Sequence, residues 1–144
     1  MRSTAANVCR LLAVVLYLSS LVLTPYHTRE PEMEMRGILV LLVGWAVIPD
    51  THVCAWIANP MAIFCFVWMK KSPVLCVGLA LAALALAHDF RSVETLGFDS
   101  GRDMDAGTVV GFGAGSYVWL SSLLLTLIAS IMSFITRPTM KRGA

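Results

Sequence analysis

Five apolar stretches dominate this chain: residues 11–25, 37–49, 53–69, 73–88 and 117–135. None of them contains an Asp, Glu, Lys or Arg. A water-soluble domain cannot be assembled from such segments, because a soluble helix or strand needs a polar face to turn toward solvent. Composition points the same way. Hydrophobic residues make up 58% and charged residues 14%, against about 45–50% and about 25% in ordinary globular proteins. The expected fold is therefore an all-α membrane protein forming one integral-membrane domain over residues 1–144. It is a compact bundle of about four transmembrane helices plus one short re-entrant or short-crossing apolar helix.

The short element is 37–49, about 13 residues, a length that suits a re-entrant, interfacial or buried helix better than a full crossing. By contrast 117–135 spans about 28 Å at 1.5 Å per residue, close to a hydrocarbon core of about 30 Å. Arg2 and Arg10 precede the first apolar run as in a signal sequence, but Ser19 and Ser20 fall inside the run. An uncleaved signal-anchor helix is expected, with a cleaved signal as the alternative. Pro31, followed by Glu32 and Glu34, predicts a helix start. Pro49 to His52 reads as a turn, and Asn59-Pro60 as a kink within 53–69. Residues 89–107 form a polar outer loop.

Charge placement gives an orientation. With the N-terminus cytoplasmic and 37–49 returning to the side it entered from, Arg2, Arg10, Lys70, Lys71, Arg137, Lys141 and Arg142 lie inside. Arg29, Arg36, Arg91 and Arg102 lie outside, and so do all the acids. Five full crossings with the N-terminus outside give the same seven-to-four excess of inside cations, so the positive-inside rule alone does not choose. The short second run and the two arginines ahead of the first favour the former path, with both termini cytoplasmic. Trp68 beside Lys70 and Lys71 suits an inner interface; Tyr26, Trp56, Tyr117 and Trp119 suit outer ones.

No motif carries a specific chemistry. A net charge of +2 does not suggest nucleic acid. Cys9, Cys54, Cys65 and Cys76 have no CxxC spacing and read as small buried hydrophobes. His27, His52 and His88 fall at proposed outer helix ends, two of them beside Asp50 and Asp89. The polar candidates are Asp50, His52, His88 and Asp89, residue types able to bind a metal or move a proton if they converge. None has a ligand-type partner at i+4, so capping and solvated-interface roles are the ordinary explanation. No cofactor or metal is expected, and no nucleophile–base pair suggests an enzyme.

Small residues are the other pattern. Gly78 and Ala82, Ala83 and Ala87, and Ser122, Thr126 and Ser130 are spaced by four and predict close helix packing within the chain, or a face for self-association. Gly107, Gly111 and Gly115 share that spacing but are expected to form a loop or an extension outside the membrane. GILVLLVGW (37–45), CAWIANPM (54–61), Lys70-Lys71 before an Ala/Leu-rich helix, and GAGSYVWLSS (113–122) together resemble a pattern in small bacterial inner-membrane proteins. That resemblance implies a bacterial inner membrane and about four helices, and no site. The expected function is a structural, binding or accessory membrane component, with the lipid bilayer and either further copies or other membrane proteins as the expected partners. The alternative is an oligomeric channel or transporter-like pathway for a small solute or ion.

Overall fold

The computed structural model describes residues 2–29, 34–51, 54–92 and 108–136. Helix α1 (Arg2–Val22) is followed by a short strand β1 (Tyr26–Thr28) and helix α2 (Gly37–Thr51). A 3-10 helix, Cys54–Ile57, runs directly into α3 (Ala58–Trp68). Helix α4 (Pro73–His88) ends in a second 3-10 turn, Asp89–Ser92; strand β2 (Val109–Phe112) then leads into α5 (Ala114–Ile135).

Local chemistry explains most boundaries. Pro73 occupies the first turn of α4, where its missing N–H has no intrahelical acceptor to lose. Pro60 plays the same part in α3, so the kink expected at Asn59-Pro60 is instead the junction of a 3-10 helix and an α-helix. Helix α2 runs on through Pro49 and Asp50 to Thr51, so the turn expected at Pro49–His52 does not begin at Pro49. The start predicted at Pro31 lies outside the described residues, and the described helix begins at Gly37.

The helices run antiparallel, giving the bundle two distinct ends. At the strand end, β1 pairs with β2 in antiparallel register, Tyr26 opposite Phe112 and His27 opposite Gly111. The carbonyls just past the end of α1, where the helix has no further N–H to offer, are taken up there by other elements. Gly37 N–H donates to Leu23 O (2.9 Å), Gly115 N–H to Thr24 O (3.0 Å) and Gly113 N–H to Pro25 O (2.9 Å). A Cβ on Gly37 would collide with the Ser20 carbonyl, and one on Gly113 with the Thr24 carbonyl. Glycine is thus what lets the starts of α2 and α5 dock on the end of α1.

The opposite end, the turn end, is the α3–α4 hairpin. Lys71 and Ser72 N–H both donate to Trp68 O at 2.9 Å. The start of α1 and the end of α5 reach this end, where Cys9 packs against a buried cluster of Cys65, Met69, Cys76 and Ala129.

The chain enters and leaves α2 at the strand end. Gly37 is tied to Leu23, and Ala55 shares a buried cluster with Ala87 and Phe90 at the finish of α4. Thr51 is three residues before Cys54, a reach of at most about 11 Å. Helix α2 therefore does not carry the chain to the turn end.

Exposure is inverted relative to a soluble bundle. Outward positions carry large apolar side chains, among them Leu11 (64% exposed), Val22 (68%), Val67 (61%), Val74 (62%) and Leu124 (51%). Inward positions carry alanine, cysteine and hydroxyls, with Ser122, Thr126 and Ser130 fully or almost fully buried. Among the described residues Thr4–Val22 of α1, Pro73–Arg91 (α4 with its 3-10 turn) and α5 are each long and apolar enough to cross a membrane, and Cys54–Trp68 is a shorter apolar helix.

Candidate functional site

Two of the four polar candidates are placed and two are not. His88 is the exposed last residue of α4, and half-buried Asp89 opens the 3-10 turn that follows it. Asp50 lies near the end of α2 by its backbone, but its side chain is outside the described residues, as is the whole of His52. The third histidine, His27, bonds through Nδ1 to the Glu34 carboxylate at 2.9 Å on the exposed side of β1. Among the described residues, no three His, Cys, Asp or Glu side chains gather as a metal-ligand set.

The structure draws its polar side chains together elsewhere, around Asn59. This residue lies in the first turn of α3, in a run otherwise made of apolar and small side chains. Its Oδ1 accepts from the Tyr17 hydroxyl of α1 (3.1 Å) and from Trp119 Nε1 of α5 (2.9 Å). Its Nδ2 donates to Trp56 O in the 3-10 helix (3.2 Å). The Trp56 indole in turn donates to Leu41 O of α2 at 2.6 Å. One carboxamide thereby links α1, α3 and α5 directly, and α2 through Trp56.

An aromatic layer closes the bundle above this clasp. Tyr26 stacks on Phe90 with ring centroids 4.4 Å apart and planes 21° apart. Phe90 meets Phe112 at 5.8 Å and Trp119 at 5.3 Å. Tyr26 and Trp119 are buried, not the interface anchors their positions in the sequence suggest. Burial pushes the Tyr26 phenol above its ordinary range, because the phenolate would have to form away from water. Tyr117, by contrast, is exposed.

The hydroxyl stripe on α5 is turned back onto its own helix. Ser122 Oγ donates to Trp119 O, Thr126 Oγ1 to Ser122 O and Ser130 Oγ to Thr126 O, each at 2.7 Å. The complementary buried face of α4 is Cys76, Ala80, Ala83 and Ala87. Gly78 lies off that face with nothing within 4 Å of an added Cβ, so the Gly78–Ala82 half of the predicted stripe does not mark the packed side. Gly111 and Gly115 belong to a strand and a helix respectively, and Gly107 is outside the described residues. Gly111 and Gly115 therefore share no helical groove.

Every buried side-chain nitrogen or oxygen among the described residues has a hydrogen-bond partner. The side-chain bonds of the Asn59 constellation run between helices, and its chemistry is that of a clasp. Sequence reasoning passed over Asn59, Tyr17 and the internal role of Trp119. The available signal was an asparagine inside an apolar helix, a residue that bonds across helices when water is absent. Comparison of the chain with protein-family models, with characterised proteins and with solved structures finds no match in any of the three.

Proposed function

We propose that this chain is a small polytopic membrane protein with a structural, binding or accessory role, crossing the bilayer four times through α1, α3 with the 3-10 helix that leads into it, α4 and α5. The observation that carries this reading is the inverted exposure, with large apolar side chains outside and hydroxyls inside. Surfaces of that kind are stable where the surroundings are hydrocarbon, and helices packed there meet through small residues.

The β1–β2 pairing favours four crossings over five. In the five-crossing path the segments holding residues 26–28 and 109–112 sit on opposite faces of the membrane; here they are hydrogen-bonded to each other. Helix α2 then lies in or dips into one leaflet. The excess of Lys and Arg at the turn end favours that end as the cytoplasmic one, with both termini inside. The resemblance to small bacterial inner-membrane proteins supports a bacterial inner membrane as the location.

The interior supports an accessory role over a pathway through one chain. Helix α5 faces α4 through alanine, cysteine and self-bonded hydroxyls, and Asn59 bonds to α1, α5 and the 3-10 helix. An oligomeric channel or transporter is the competing reading, and a flux assay in reconstituted vesicles separates the two. Solute or ion flux that is lost in Asp50→Asn would overturn the accessory reading.

Topology is tested by single cysteines at positions 29 and 71, each in a background with the four native cysteines replaced by alanine. In intact cells a membrane-impermeant maleimide labels position 29 and spares position 71 until the membrane is opened. Equal labelling of both positions would remove the four-crossing path.

A further inference from the structure

We propose that the turn end binds the phosphate headgroup of an anionic phospholipid, held by Trp68, Lys70 and Lys71. The inference rests on the membrane reading above and adds a partner to it. Trp68 is 42% exposed although it ends a packed helix. Its ring is stacked on Phe64, with centroids 5.0 Å apart and planes within 5°. Lys71 Nζ sits 5.9 Å from the centre of the Trp68 ring, within cation–π range. The hairpin that places the lysines is fixed, because two successive amides, those of Lys71 and Ser72, close on the Trp68 carbonyl. Lys70 is exposed beside it.

Charge and shape both select a lipid. The elements that reach the turn end carry no carboxylate side chain: the sequence has no Asp or Glu before residue 30, between residues 51 and 88, or after residue 105. Arg10 of α1 adds a further cation on that side. Val67 and Val74 flank the turn in sequence and are 61% and 62% exposed, an apolar surface for an acyl chain. A lysine draws anionic lipid by its charge while its aliphatic stem lies along the apolar surface. A free phosphate would use the lysines alone, whereas a phospholipid uses the lysines, the indole and the apolar surface together.

The test places the full chain in vesicles with spin-labelled phosphatidylglycerol or phosphatidylcholine and reads the motionally restricted fraction by electron paramagnetic resonance. The wild type is expected to prefer the anionic lipid about twenty-five-fold, since each of the two lysines near such a surface contributes about fivefold. In K70Q/K71Q the preference falls to near unity, and Trp68→Leu lowers it about twofold. Arg91→Gln, at the strand end, leaves it unchanged. Equal association of the two lipids with the wild type overturns the proposal. So does a preference that survives K70Q/K71Q, one that Arg91→Gln removes equally, or displacement of the lipid by millimolar inorganic phosphate. If neither lipid shows a restricted component, the membrane reading itself fails, an outcome distinct from equal association.

Discussion

The two ends of the bundle are held together by different physics. At the strand end, α1, α2 and α5 meet backbone to backbone through Gly37, Gly113 and Gly115. Above the Asn59 clasp lie four aromatic rings: Tyr26, Phe90, Phe112 and Trp119. At the turn end the buried cluster is Cys65, Met69, Cys76 and Ala129. Its side chains bond weakly, as in the Cys65 Sγ–H to Cys76 O contact at 3.5 Å. The strand end is specified by directional bonds and exact backbone approach; the turn end is specified by volume. Directional contacts fail sharply when a partner is lost, while soft sulfur-containing cores adapt.

The largest expected effect is at the clasp. Asn59→Leu leaves the Tyr17 hydroxyl and the Trp119 indole without their acceptor in an apolar interior, at a cost of about 3 kcal/mol. Unfolding in mixed detergent–SDS micelles reads this directly. Tyr17→Phe removes only one donor and is expected to cost about 1 kcal/mol. A double-mutant cycle between Tyr17→Phe and Trp119→Phe should show coupling through the shared oxygen; strict additivity would break the clasp as a unit.

Backbone approach comes next. Gly113→Ala drives a methyl into the Thr24 carbonyl and is expected to lose about 2 kcal/mol in the same titration. Gly78→Ala, in the open part of α4, should be neutral or stabilising by up to about 1 kcal/mol, because alanine is the better helix former. If the two substitutions behave alike, the contrast between docked and open glycines is wrong.

At the turn end, Cys76→Ala is expected to cost about 1 kcal/mol, since a small cavity among adaptable neighbours is partly refilled. A loss as large as that of Asn59→Leu would erase the distinction between the two ends.

The smallest effect concerns pH. The Tyr26 phenol is raised above its ordinary range in the folded state, so the folded chain holds that proton more tightly than the unfolded one. Its contribution is fully present below the ordinary phenol range, about 10, and is lost as the pH rises beyond it. Tyr26→Phe should flatten the alkaline limb of the stability curve relative to wild type. An unchanged limb would assign the alkaline loss to other groups.

How much of this was legible in the sequence differs between the two ends as well. The turn end and the helix faces were readable in outline: Lys70-Lys71 mark the end of one apolar run and Pro73 the start of the next, while along α4 and α5 Ala83, Ala87, Ser122, Thr126 and Ser130 lie on buried faces as their spacing implies. These are local periodicities, and a helix displays them whatever it packs against. The strand end was not readable. Strand β1 has three residues and β2 four, too short for any alternation to stand out. Their pairing joins residues more than eighty positions apart.

The sequence by itself determined that the chain is built from apolar helices, roughly where they begin and end, and that its cations and acids are segregated along it. Those properties follow from composition and from the 3.6-residue repeat, which need no tertiary partner. Only the tertiary structure decided that α2 starts and returns on one side, that Trp119 and Tyr26 point inward, and that Asn59 is the polar centre. Each depends on which distant backbone or side chain completes a hydrogen bond. In an interior without water that choice is made by proximity in space, and spacing along the chain does not encode it.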